Sequence, residues 1–250
     1  MECNLLLQHI SQRYQRILGA NLLSIFVHGS LAFGCFHWQS SDVDFLVVTR
    51  QEPAQVQKEA MIQILLNLLP LSPPKGLEMS VVLSEHCTHF RYPTPFSLHF
   101  SPMHLDACRA DLAGYCRSMH GEDRDLAAHF MVARKVGFSI YGPPPAQLLG
   151  PVPRACYLDS ILRDIADAED EAPVNPVYFV LNQCRILAYL RDALICSKEA
   201  GGLWALEHLD IRWSSLIRSC LEAYQTGVPL CPEPNILSAF CRMVQKEIRT

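Results

Sequence analysis

Two aspartates flanking a valine, Asp42 and Asp44, follow a Gly29-Ser30 pair by about a dozen residues, and this spacing could do chemistry. The segments are His28-Gly29-Ser30-Leu31-Ala32-Phe33-Gly34 and Ser40-Ser41-Asp42-Val43-Asp44-Phe45-Leu46-Val47-Val48. On a strand, side chains alternate between faces, so Asp42 and Asp44 share one face while Val43, Phe45 and Val47 point into a core. Two carboxylates ~4 Å apart repel by about 4 kcal/mol at an effective dielectric near 20. Such a pair persists only with a shifted pKa or a neutralising cation, and hard oxygen ligands suit Mg²⁺ held jointly with substrate phosphates. Gly29 lets the backbone approach a ligand closely, and the local N–H groups and the Ser30 hydroxyl can hold phosphate oxygens. A phosphate cradle ahead of a carboxylate pair meets the needs of a metal-dependent nucleotidyl transfer. Glu78, opening Glu78-Met79-Ser80-Val81-Val82-Leu83, would complete the site either by ligating the metal or by taking the proton of the attacking hydroxyl. Alone, a Gly-Ser is a turn and an Asp-x-Asp a solvated strand end. The specificity lies in their ordered combination.

The elements that must position these groups can be read from periodicity. Leu5 to Leu18 carries Leu6, Ile10, Tyr14 and Ile17 at helical spacing. Leu22 to His28 is an apolar run too short for a helix, and Val43 to Val48 is a second strand. A helix from about Pro53 to Leu69 stops before Pro70, and Met79 to Leu83 is a third strand. Strands alternating with helices predict an α/β layer. From Asp123 onward helical spacing dominates, over roughly 123–138, 156–168, 177–196, 212–226 and 235–248. Tyr141-Gly142-Pro143-Pro144-Pro145 and Gly150-Pro151-Val152-Pro153 break both patterns, which places a domain boundary near residue 150.

Composition narrows the partners. In 250 residues, 21 Lys and Arg stand against 25 Asp and Glu, so the net charge is −4, and half the residues are hydrophobic. A sizeable core can form, and without a strongly basic patch duplex nucleic acid is not the expected partner. A cationic small molecule suits this balance better. No basic-then-apolar leader opens the chain and no run of about 18 apolar residues occurs, so a cytoplasmic protein without a membrane span is expected. Eleven cysteines lie scattered with no C-x-x-C pair, as reduced thiols packed among apolar side chains would. His86-Cys87-Thr88-His89 has metal-binding residue types but no zinc spacing, and reads as a loop.

These residues resemble the nucleotidyltransferase superfamily, whose pattern is an apolar strand, Gly-Ser, a spacer, then Asp-apolar-Asp on a second strand. The resemblance is closer to the aminoglycoside adenylyltransferases of the streptomycin/spectinomycin class. It runs through Gly29-Ser30, Ser41-Asp42-Val43-Asp44, Glu78, Arg91-Tyr92-Pro93, Asp125-Leu126-Ala127 and Tyr141-Gly142-Pro143. In the helical half it continues through Arg185, Ser197-Lys198-Glu199, Trp204-Ala205-Leu206 and Ala223-Tyr224.

The resemblance implies an α/β nucleotidyltransferase (polymerase-beta-like) domain over about 1–150 followed by an all-α helical domain over about 151–250. It implies Mg²⁺-dependent transfer of AMP from ATP to a hydroxyl of an aminoglycoside or aminocyclitol, conferring resistance, by a monomer. Asp42 and Asp44 would hold Mg²⁺, with Glu78 as catalytic base and a further ligand. Gly29, Ser30, Ser41, Asp125, Lys198 and Tyr224 would contact ATP, and Glu171 and Asn175 the acceptor, the substrates meeting where the two domains face each other. The chain departs from the family on the acceptor side, with Met103 in place of a Trp, Asn175 in place of an acid and Ala166 near the place of an aromatic residue. Asp164, Asp167, Glu169, Asp170 and Glu171 form an acidic run, read as an exposed helix end or as a field attracting a polycation. Two other readings remain open: the same transfer onto another small molecule or a protein side chain, and a non-catalytic nucleotide-binding module.

Overall fold

The structure, a computed structural model, describes residues 2–249. The chain forms two compact units, the first ending at Tyr157 and the second beginning at Leu158. The first unit contains strands β1 (Leu22–Val27), β2 (Val43–Thr49), β3 (Leu77–Leu83), β4 (Thr94–Phe96), β5 (Leu98–Phe100), β6 (Gly121–Asp123) and β7 (Phe138–Tyr141). Its helices are α1 (Glu2–Leu18), α2 (Gly29–Phe33), α3 (Gln55–Leu68), α4 (Ser84–Thr88), α5 (Leu105–Ala110), α6 (Leu112–Ser118), α7 (Leu126–Val136) and α8 (Pro145–Leu148). Helix α9 (Arg154–Arg163) carries the chain into the second unit, which holds α10 (Ala168–Glu171), α11 (Pro176–Asp192), α12 (Lys198–His208), α13 (Ser214–Thr226) and α14 (Pro234–Ile248). No described helix is long and apolar enough to cross a membrane.

Five strands form one mixed sheet in the order β5-β3-β2-β1-β7, and β4 pairs with β6 in a separate ribbon. Strands β2 and β3 run parallel, with α3 between them in sequence, and the other pairings are antiparallel. Side-chain alternation divides the sheet. Val43, Phe45, Val47, Leu77, Met79, Val81, Leu98 and Phe100 enter one core with Leu6, Ile10 and Tyr14 of α1 and Met61, Ile62 and Leu65 of α3. On the other face, Leu46, Val48 and Val82 are also buried, so β2 and β3 read as apolar runs interrupted by Asp44, Glu78 and Ser80 and ended in β2 by Thr49. The interruptions mark the working face.

In the second unit α11 packs against α12, α13 and α14. A β-carbon on Gly201 would sit 2.6 Å from Cβ of Arg185, so the start of α12 lies directly on α11. Asn175 accepts a hydrogen bond from the Tyr178 N–H at 3.4 Å and caps α11, which begins with Pro176.

Several sequence expectations need correction. The helix expected over 177–196 ends at Asp192, because Ala193 turns left-handed (φ 53°), and α12 then starts separately. Helix α12 escapes periodicity because two glycines interrupt its apolar pattern and Trp204 and Ala205 are buried together. The helix expected over 123–138 is shorter: residues 121–123 pair as β6, the helix stops at Gly137, and Phe138–Tyr141 joins β1 as a strand. His86-Cys87-Thr88 belongs to the short helix α4, with Cys87 fully buried, so it is not a loop.

Phe45 anchors β2 from behind: it is buried and its ring centroid lies 6.3 Å from that of Tyr14. Phe45→Ala should cost ~3–5 kcal/mol in urea unfolding, since the cavity opens beneath Asp44. An unchanged unfolding midpoint would show that β2 does not depend on this contact.

Candidate active site

The acids come together through strand register. In the parallel β2–β3 pair, Val43 lies opposite Leu77 and Asp44 opposite Glu78. Asp42 sits one residue before β2 begins, and Glu78 lies inside β3, which starts at Leu77, earlier than periodicity alone indicates. Each of the three carboxylates is half-buried, and each offers an oxygen within 4.8 Å of the others. At that spacing and an effective dielectric of ~20, each ionised pair repels by about 3–4 kcal/mol. Among the described residues this is the only group of three or more His, Cys, Asp or Glu side chains placed to hold a metal ion.

The chain between β1 and β2 closes one side. The His28 N–H donates to the Asp44 carbonyl at 3.1 Å, which fixes the start of α2 against β2. Gly29 has φ +62°, and a β-carbon there would lie 1.8 Å from Oδ2 of Asp44. No other residue type fits, for conformational and steric reasons together. Ser30 follows with its Oγ buried and without a hydrogen-bond partner among the described residues. A buried hydroxyl in that condition calls for a ligand or water oxygen. Ser41 acts structurally, since its Oγ accepts the His37 N–H at 3.1 Å and pins the loop that delivers Asp42. The all-oxygen acid set, with an orphaned hydroxyl nearby, fits a hard divalent cation such as Mg²⁺ together with phosphate oxygens.

Histidines surround this face. His28 is buried, and its ring centroid lies 4.8 Å from that of His129 on α7. Burial first, and His129 second, hold its pKa well below the usual histidine range. On β5, Nδ1 of His99 lies 2.9 Å from Oγ of Ser80. Neither His28 nor His99 stands out in the sequence as a site residue. The alternation in Phe96-Ser97-Leu98-His99-Phe100-Ser101 is the signal that could have revealed His99.

The other expected site residues divide between the units. Asp125 is exposed at the start of α7, where its N–H donates to Asp123 Oδ1 at 2.9 Å. In the second unit, Nζ of Lys198 lies 4.9 Å from the centroid of the Tyr178 ring, a cation–π contact. Gln225 donates to Glu199 at 2.6 Å, which brings the start of α12, carrying Lys198, to the end of α13, carrying the largely buried Tyr224. Glu171 and Asn175 are exposed and share a turn, the Asn175 N–H reaching the Glu171 carbonyl at 3.1 Å. Asp164 is not a solvated end of the acidic run: it is only 22% exposed and lies 3.5 Å from Arg185. A separate cavity of about 450 Å³, lined by Glu52, His86, Phe96 and Glu122, opens at the opposite ends of β2 and β3 and contains none of the acids.

An α/β layer with three carboxylates on adjacent strands behind a Gly-Ser turn is an arrangement suited to metal-dependent nucleotidyl transfer. Residues 147–245 match the family described as "Aminoglycoside adenylyltransferase, C-terminal domain". Residues 147–245 are thus similar to the C-terminal domain of the aminoglycoside adenylyltransferases. Its fold is similar to that of spectinomycin adenyltransferase AAD(9) from Enterococcus faecialis, solved with ATP and spectinomycin. The TM-score is 0.83 at 17% identity, over 99% of each chain. Sequence comparison with curated proteins gives no match.

Asp42→Asn or Asp44→Asn should abolish nucleotidyl transfer while the thermal midpoint of the ligand-free protein holds or rises, because each change removes charge repulsion at constant size. Near-normal turnover in either variant would remove the metal site. Gly29→Ala should lose activity as well, but with a lowered midpoint, since its β-carbon displaces Asp44. A midpoint equal to wild type would contradict the close approach.

Proposed function

We propose that this enzyme transfers AMP from ATP to a hydroxyl of an aminoglycoside or aminocyclitol and so confers resistance. One observation carries the reading: Asp42, Asp44 and Glu78 converge within 4.8 Å, with Gly29, the neighbour of Ser30 and its buried hydroxyl, close against Asp44. The family match over residues 147–245 supports the adenylyl donor and the acceptor class, and a fold neighbour solved with ATP and spectinomycin agrees.

In this reading Asp42 and Asp44 hold Mg²⁺, with Glu78 at its edge. The ion supplies charge neutralisation of the phosphates and polarises the α-phosphoryl group. Gly29 and Ser30 bind phosphate oxygens, with Ser41 setting the loop, and Asp125, Lys198 and Tyr224 contribute further nucleotide contacts. Glu171 and Asn175 contact the acceptor. The acceptor hydroxyl gives its proton to the Glu78 carboxylate and its oxygen attacks the α-phosphorus. The bond to the β-phosphate oxygen breaks, and pyrophosphate leaves with the electron pair. The protein works as a cytoplasmic monomer without a nucleic-acid partner.

The test is incubation with α-labelled ATP, Mg²⁺ and a panel of aminoglycosides and aminocyclitols led by spectinomycin and streptomycin. Label should appear on at least one antibiotic with release of pyrophosphate. Absence of transfer to every panel member would contradict the acceptor class. Glu78→Gln should bind ATP normally but turn over roughly 10²–10⁴-fold more slowly, as expected for loss of a positioned base. Loss of Mg²⁺·ATP affinity instead would make Glu78 chiefly a metal ligand.

A further inference from the structure

Beyond the carboxylates, the edge strand of the sheet presents a second polar row to the same face. Leu98 and Phe100 point into the core shared with α1 and α3, so His99 between them points the other way, toward the face of Asp44 and Glu78. Register agrees, for Ser80 lies opposite His99 across β3 and β5. Ser101 keeps an extended backbone (φ −146°, ψ 167°), so the alternation continues one residue past β5. One further step of the same register sets Ser101 opposite Glu78. The chains stay together at that end because Pro102 packs on Gly76, where a β-carbon would lie 2.7 Å from Pro102 Cγ. His99 is then the diagonal neighbour of Glu78, and diagonal pairs, ~7–8 Å apart, are within reach of aromatic side chains.

This row is built to recognise something. Ser101 is 7% exposed, and its Oγ has no hydrogen-bond partner among the described residues. The backbone of His99 is pinned by the Tyr115 hydroxyl, which donates to the His99 carbonyl at 2.6 Å. Its ring packs at 5.6 Å from His104 and 6.2 Å from Phe96. A Ser80 hydroxyl donating to Nδ1 leaves Nε2 as an N–H donor. Burial above all, then His104, lower the His99 pKa to about 4, against an opposing pull from Asp123. The ring is therefore uncharged at neutral pH, and it can bond a hydroxyl without repelling a cationic molecule.

We infer that His99 and Ser101 form the acceptor-recognising edge of the site and hydrogen-bond a second hydroxyl of the acceptor, beside the one that Glu78 deprotonates. The inference rests on the transfer reading above and specifies its substrate as a ring bearing neighbouring hydroxyls. Across the sheet the order becomes His99 and Ser101, then Glu78, then Asp44, then Gly29-Ser30. Acceptor recognition lies on one flank of the base and phosphate binding on the other.

The experiment compares wild type with His99→Phe, His99→Gln and Ser101→Ala in adenylation of spectinomycin, streptomycin and any further panel member the wild type modifies. Calorimetric ATP binding and thermal melting serve as controls. His99→Phe should raise the acceptor KM roughly ten-fold, the effect of one lost hydrogen bond, with ATP affinity unchanged. His99→Gln, which keeps a donor, should recover most of that loss, and Ser101→Ala should raise the acceptor KM several-fold. An unchanged acceptor KM in His99→Phe overturns the inference while leaving the transfer reading intact. A wild type that adenylates no panel member removes both. Should His99→Phe not fold, Ser101→Ala decides alone, an unchanged KM again overturning the proposal.

Discussion

The site depends on the parallel pairing of β2 with β3, which sets Asp44 directly beside Glu78. Nothing local to either strand favours this, since like charges on adjacent strands repel. The apolar residues alternating with them enforce the register. Val43, Phe45 and Val47 share a core with Leu77, Met79 and Val81, and slipping either strand by one residue would turn that whole set toward the wrong face. Burial of this core outweighs the carboxylate repulsion, at about 1.5–3 kcal/mol for each large apolar side chain. The fold thus stores a cluster of carboxylates whose mutual repulsion a divalent cation would relieve.

The second dependence is steric. Next to the His28 N–H that bonds the Asp44 carbonyl, Gly29 lies against the Asp44 side chain, and its left-handed backbone with the close approach to Oδ2 leaves no volume for a side chain. That approach places Ser30, in α2 directly after β1, on the β1 side of Asp44. On the β5 side, Pro102 against Gly76 keeps Ser101 and His99 near Glu78. On both flanks of the carboxylates a glycine packed against its neighbour acts together with backbone hydrogen bonds.

Much of this is legible in the sequence, for identifiable reasons. The first three strands of the sheet and α1 and α3 have uninterrupted periodicity, so they can be read from the residues, and with them Gly29, Ser30, Asp42, Asp44 and Glu78. The short strands are hidden. Strand β5 has only three residues, and β7 follows a helix with no turn signal other than Gly137. Missing β5 means missing His99 and Ser101, because a side chain's neighbours across a sheet cannot be read until both strands are known. Asn175 shows the reverse limit. Resemblance assigns it to the acceptor, while its side chain visibly caps α11, and both roles are compatible with one exposed amide. Helix α12 escapes notice although Ser197-Lys198 stands out, since its glycines serve packing on α11 rather than amphipathicity.

The proposed transfer requires Asp42, Asp44 and Glu78 to bind a divalent cation together with the nucleotide. Titration of Mn²⁺ followed by electron paramagnetic resonance, with a non-hydrolysable ATP analogue present, tests this most directly. Wild type should sequester Mn²⁺ well beyond what the analogue binds alone, and folded Asp44→Asn protein should lose that excess. Equal free Mn²⁺ in the presence and absence of wild-type protein would contradict the account.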